Sequence, residues 1–202
     1  MAGKREAKRE ELRQNLLTAA TLIIEEEGVR GLNARNVTAR VGCALGSLYT
    51  AYGDLDDLIV HVNSQTLESL GEALIADVSG VDQPVMRLKT LAKGYVEFAQ
   101  QNFRLWNALF EYADMTSHVP NWHQKEQAVL IEFIKGPVIQ LSPDIESNEA
   151  ELRARTLFAA VHGVVAFSLQ GRYIGLQVNE LEAELMRFID QMVAGLASQK
   201  SV

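Results

Sequence analysis

The sequence predicts an all-α protein of about nine helices. Three observations carry that expectation. Apolar residues recur at three- and four-residue spacing through most of the chain. Gly, Asn, Asp and Pro punctuate the gaps between those runs. Neither Asn-Gly nor Asp-Gly joins two alternating segments, so no β-hairpin is indicated.

From Glu10, the residues Leu12, Leu16, Ala19, Ala20, Ile23 and Ile24 lie on one face of a first helix, and Gly28 stops it. Asn33 is placed to cap a second helix, Ala34 to Val41, with Val37 and Val41 turned inward. Gly42-Cys43-Ala44 is a connection short enough to turn one helix sharply across another, and residues 45–51 form a short third helix. Asp54 caps a fourth, whose Asp56 and Asp57 sit at its positive end and whose Leu55, Leu58, Val62, Leu70 and Leu74 follow a helical stripe.

Residues 79–84 break the pattern, with Pro84 suited to open a fifth helix carrying Leu88, Leu91, Ala92, Tyr95 and Phe98. Asn102 precedes a shorter run with Phe103, Trp106, Leu109 and Phe110. Trp122 begins the next helix, which Gly136-Pro137 should kink or break. Leu152 to Val165 marks a largely apolar helix and Leu181 to Leu196 a final amphipathic one. These last two carry more apolar surface than one core-facing stripe needs. Val161, Val165, Leu185, Phe188, Ile189 and Met192 are therefore expected to pair two copies as a four-helix bundle about a twofold axis.

Composition narrows the class. Hydrophobic residues make up 48% of the chain and charged residues 22%, with 4 prolines, as in an ordinary globular protein. The single cysteine, Cys43, cannot form an internal disulfide, and neither a signal-peptide pattern nor a membrane span is evident, so a cytoplasmic protein with no membrane partner is expected. The net charge of −7 is unevenly spread. Residues 1–53 hold eight Lys or Arg against six Asp or Glu, while residues 54–202 hold eleven against twenty. Four of the early basic residues, Lys4, Arg5, Lys8 and Arg9, fall in an N-terminal arm able to touch phosphates.

The stretch Val37 to Leu58, VTARVGCALGSLYTAYGDLDDL, is the most informative. With its turn, its Gly46-Ser47-Leu48-Tyr49 helix and the aromatic Tyr52, it resembles the DNA-binding region of TetR-type (tetracycline-repressor-like) bacterial transcriptional regulators. A second resemblance runs through Gly94-Tyr95, Leu105-Trp106, Pro120-x-Trp122 and His162-Gly163, and is to a subgroup of that family's regulatory domains. Together they cover residues 10–60 and 91–172.

The resemblance implies a helix-turn-helix domain over 1–54, joined by a long helix to a helical ligand-binding and dimerisation domain over 55–202. A recognition helix presents small or polar side chains to base edges and is held by nearby phosphate contacts. The candidate DNA-binding residues are thus Arg35, Arg40, Leu45, Gly46, Ser47, Tyr49, Thr50 and Ala51. Tyr49 is expected on phosphate and Tyr52 in the core. Candidate effector contacts are Phe98, Trp106, Phe110, Met115, Trp122, Phe133, Phe158 and His162, although an aromatic stripe at helical spacing is equally the mark of plain core.

The chain departs from the family pattern at Ala44, where Ser or Thr commonly caps the recognition helix, at Ala51, often His, and at Leu55, commonly a phosphate-binding Lys. The implied function is a homodimeric, ligand-responsive regulator, a repressor that reads a pseudo-palindromic DNA operator and is released by a small apolar effector. The alternative is a small-molecule or protein-interaction module with weak or lost DNA binding. The four histidines are dispersed, no Gly-rich phosphate loop is present and Cys43 has no histidine near it in sequence, so neither an enzyme, a cofactor nor a metal site is expected.

Overall fold

The computed structural model describes residues 2–111, 120–171 and 175–198. Among them are nine α-helices and no strand: α1 (Ala2–Glu27), α2 (Ala34–Val41), α3 (Leu45–Tyr52), α4 (Leu55–Asp77), α5 (Pro84–Gln101), α6 (Phe103–Glu111), α7 (Asn121–Leu141), α8 (Ser147–Leu169) and α9 (Val178–Ser198), with a 3-10 turn at Val29–Gly31. The all-α expectation therefore holds.

Local chemistry accounts for most helix ends. The Asn33 side chain accepts the Asn36 N–H at 2.9 Å, and Asp54 accepts that of Asp57 at 2.7 Å, so both residues cap as their sequence positions indicate. Gly28 and Gly42 close the preceding helices with φ of 78° and 74°, a left-handed geometry that a Cβ disfavours.

Two elements differ from expectation. The N-terminal arm is the start of α1, whose first residues, Ala, Lys, Arg and Glu, are strong helix formers. And α7 runs through Pro137 without ending. Proline removes one helix hydrogen bond, and Val138, fully buried just beyond it, supplies packing that holds the following turn in place.

The chain divides into two compact units: residues 1–68 with 102–123, and residues 69–101 with 124–202. In the first, α1 packs on α2, α3 and α6. Leu16, Ile24, Val37, Leu48, Leu58 and Val62 are its most enclosed aliphatics. In the second, α5 packs against α8 and α9, which also pack on each other.

Among the described residues α8 is long and apolar enough, by length and composition alone, to cross a membrane, a test that core helices of folded units also pass. Its buried Ala154, Leu157, Val161 and Val165 face the second unit's core, and its first turns carry Glu149, Glu151, Arg153 and Arg155.

Candidate functional site

The helix-turn-helix is built from α2 and α3. After Gly42, the Cys43 N–H reaches back to the Thr38 carbonyl at 3.0 Å, and Ala44 enters α3 extended, with φ of −69° and ψ of 147°. Cys43 itself packs against the first unit's core as a small apolar group. Within α3, Leu48, Ala51 and Tyr52 are spaced three and four apart and turn inward. That leaves Leu45, Gly46, Tyr49 and Thr50 exposed on the opposite face, with Ser47 at the border.

Ala51 is thus misplaced among the base-facing candidates. It is only 7% exposed, because it shares the inward stripe with Leu48 and Tyr52. Leu55, where a phosphate-binding lysine was anticipated, packs against the same core. Its departure from the family pattern is a packing choice at the cost of a cation.

Ala44 provides no side-chain cap to α3. Its backbone already has the extended conformation of a capping residue, so Ala44→Ser is expected to stabilise the protein by about 1 kcal/mol. For a chain of this size that is a rise in melting temperature of about 2–4 °C, read by circular dichroism.

Of the cationic candidates, Arg35 is exposed, whereas Arg40 donates to the Glu26 carboxylate at 2.6 Å. That hydrogen bond holds the Glu26 carboxyl below its ordinary range and raises Arg40. Both groups are at the surface, where such a pair exchanges readily for another anion. Tyr52, by contrast, is a core aromatic: its hydroxyl donates to the Arg13 carbonyl at 2.9 Å, and burial pushes its pKa up to about 12.

The second unit encloses a cavity of about 50 Å³. Leu70 and Leu74 of α4, Leu91, Ala92 and Tyr95 of α5, Phe133 and Ile134 of α7, Leu157, Phe158 and Val161 of α8 and Ile189 of α9 supply most of its wall. The lining side chains are hydrocarbon except for that of Tyr95, whose hydroxyl is bonded to His162 Nδ1 at 2.8 Å. Phe158 lies edge-on to Tyr95 and stacks on His162, at 5.7 Å and 5.9 Å between ring centroids. Burial lowers the pKa of His162, which favours the neutral imidazole beside this wall.

The cavity gathers only part of the anticipated effector set. Phe133 and Phe158 line it, and His162 stands behind Tyr95. Phe98 is buried on α5 outside the lining. Trp106, Phe110 and Trp122 belong to the first unit, where Trp106 is fully buried between Phe103 and Phe110 and Trp122 lies 5.2 Å from His61. Met115 lies outside the described residues. The lining that sequence reasoning missed is mostly aliphatic and carries no compositional mark separating a cavity wall from ordinary core.

The anticipated dimer residues divide as well. Val165, Leu185 and Ile189 are at most 1% exposed and Val161 is 7% exposed, so all four serve the chain's own core. Phe188 and Met192 remain partly exposed, as do Leu152, Val164 and Phe167 on α8.

The family model described as tetracyclin repressor-like, C-terminal domain, matches residues 88–194, more than half of the chain. The chain belongs to this family. A comparison with curated proteins gives no match. Among solved structures, a protein of unknown function from Rhodococcus sp. RHA1 is similar with a TM-score of 0.72 at 24% identity, over 92% of this chain and 95% of that one. A putative TetR-family transcriptional regulator from Rhodococcus sp. gives 0.72 at 20% identity, over 91% and 99%. RolR in complex with resorcinol gives 0.68 at 18%, over 97% and 96%. As a TetR-type regulator, the chain has its family match in the region that holds most of α5, all of α6, α7 and α8 and most of α9, of which α5, α7, α8 and α9 supply most of the cavity wall.

Proposed function

We propose that the protein is a homodimeric repressor that reads a pseudo-palindromic operator through α3 and releases it when a small apolar molecule occupies the cavity of the second unit. The observation that carries this reading is the division of α3 into a buried stripe and an exposed face of Leu45, Gly46, Tyr49 and Thr50, with Arg35 nearby in sequence to meet phosphate. Homodimerisation would use the partly exposed apolar residues of α8 and α9, Val164, Phe167, Phe188 and Met192. The hydrocarbon wall with one tyrosine suits a small, largely apolar molecule, for which the cavity of about 50 Å³ would have to widen, and RolR, of similar fold, is solved with resorcinol. Ligand would act by population shift, favouring a dimer whose two α3 helices no longer match successive major grooves.

The test is fluorescence anisotropy with labelled duplex taken from directly upstream of the coding region, against a scrambled duplex at moderate salt, with phenol and resorcinol as effector probes. Preference for the upstream duplex, reduced by either probe, is the expected result. Equal binding to both duplexes removes the operator reading. It would favour instead a small-molecule module with weak DNA binding, which the core packing of Leu55 in place of a phosphate-binding lysine also favours. Ala92→Val, which adds two methyl groups to the cavity wall, should abolish the probe effect and leave duplex binding intact.

A further inference from the structure

One side chain of α1 ties α3 to α4. Arg13 of α1 donates through Nη1 to the Ala51 carbonyl at 2.6 Å and through Nη2 to His61 Nε2 of α4 at 2.7 Å. Its guanidinium carbon lies 4.2 Å above the centre of the Tyr52 ring, and the Tyr52 hydroxyl returns a bond to the Arg13 carbonyl. Ala51 is in the last turn of α3, where carbonyls have no following helix N–H to accept from. The guanidinium thus closes the C-terminal end of the reading helix and fixes it to α1 and α4.

This arrangement defines the state of His61. A guanidinium has donors only, so Nε2 must present a lone pair, and the proton resides on Nδ1, which faces the Asp57 carbonyl at 2.8 Å. We propose that Arg13 is a positioning residue for α3 whose hold requires an uncharged His61, so that protonation of His61 releases the end of α3 and weakens operator binding. The proposal rests on α3 being the DNA reader.

The groups around His61 come from α1, α3, α4 and α7. Asp57 Oδ1 of α4 lies 3.7 Å from Nδ1. The Arg13 guanidinium of α1 faces Nε2, and Glu10 of α1 is close enough to act electrostatically on Tyr52. Tyr52 of α3 and Trp122 of α7 present rings at 5.1 Å and 5.2 Å, and His123 of α7 lies next to Trp122. Contact geometry decides between them. A protonated Nε2 facing an Arg13 N–H at the present 2.7 Å would set donor against donor, whereas the Asp57 carboxylate is partly exposed and lies beyond hydrogen-bond distance.

Two measurements on the full chain test this. The first is hydrogen exchange of α3 amides in the free protein at pH 8 and pH 6, corrected for intrinsic rates. Wild-type protection of α3 should fall at pH 6, while His61→Gln, whose side-chain oxygen accepts from Arg13 without titrating, should keep it. Equal pH dependence in the two proteins overturns the proposal. The second is anisotropy with the upstream duplex. Wild-type affinity should fall severalfold from pH 8 to pH 6 as the clamp is lost. His61→Gln should show little pH dependence, and Arg13→Met, which keeps an unbranched stem but removes both donors, should bind weakly at both pH values. Arg13→Met binding as tightly as wild type at pH 8 overturns the proposal. A pH-dependent exchange difference confined to the wild type, but with no duplex preference at either pH, supports the clamp and overturns the DNA reading instead.

Discussion

Gly46→Glu is expected to stabilise the protein while abolishing operator binding. Gly46 is the second residue of α3, is exposed, and a Cβ built on it meets nothing within 4 Å. Replacing glycine inside a helix gains up to about 1 kcal/mol, and a carboxylate near the positive end of a helix adds about 0.3–1 kcal/mol more. The melting temperature should therefore rise by a few degrees.

On the proposed reading face, however, the same carboxylate would meet DNA phosphate. Like charges juxtaposed across an interface cost several kcal/mol, which is roughly a hundredfold or more in affinity. The opposite signs are what make the variant informative, because a general loss of structure would lower both quantities. Thermal melting together with anisotropy on the upstream duplex reads them, and undiminished binding would remove α3 as the DNA-reading element.

Trp106→Ala should have the largest effect on stability. Trp106 is fully buried in the first unit, stacked on Phe103 at 6.2 Å and edge-on to Phe110 at 5.5 Å. Truncating a buried tryptophan to alanine costs about 3–5 kcal/mol, through lost burial and the cavity that remains. Trp122 is then the sole tryptophan, and as it belongs to the same unit its fluorescence follows that unit in urea. A shift under about 1 kcal/mol would contradict the packing role. Effector response serves as the companion measurement: a tryptophan lining the effector cavity would lose ligand binding and spare stability, whereas Trp106 is expected to do the reverse.

The sequence carried the helix order because helix ends are written in nearby residues. Asn33 and Asp54 reach donors only three residues away, so their capping role is visible without a fold. The face of α3 was partly legible in the same way. Leu48, Ala51 and Tyr52 are three and four apart, and it is this spacing that sends Ala51 inward. Pro137 shows the limit of local rules: a breaker by its own chemistry, it is carried inside α7 next to the fully buried Val138.

Residues from distant parts of the chain had to be brought together before the rest could be known. An apolar stripe does not say which surface it covers, so Val165, Leu185 and Ile189 read equally well as dimer contacts and as core, and they are core. Aromatic residues drew attention as effector contacts, yet most of the cavity wall is Leu, Ile, Val and Ala, and Trp106 packs in the other unit.

By itself, the sequence determined the helices, their caps and the turn between α2 and α3, since propensity and capping act within about one helical turn. Only the tertiary structure decided that Leu55 packs against the core, that the cavity wall is mostly aliphatic, and that Arg13 joins Ala51 and His61 across 38 and 48 residues of chain. Those pairings depend on how whole helices pack, and no local pattern encodes them.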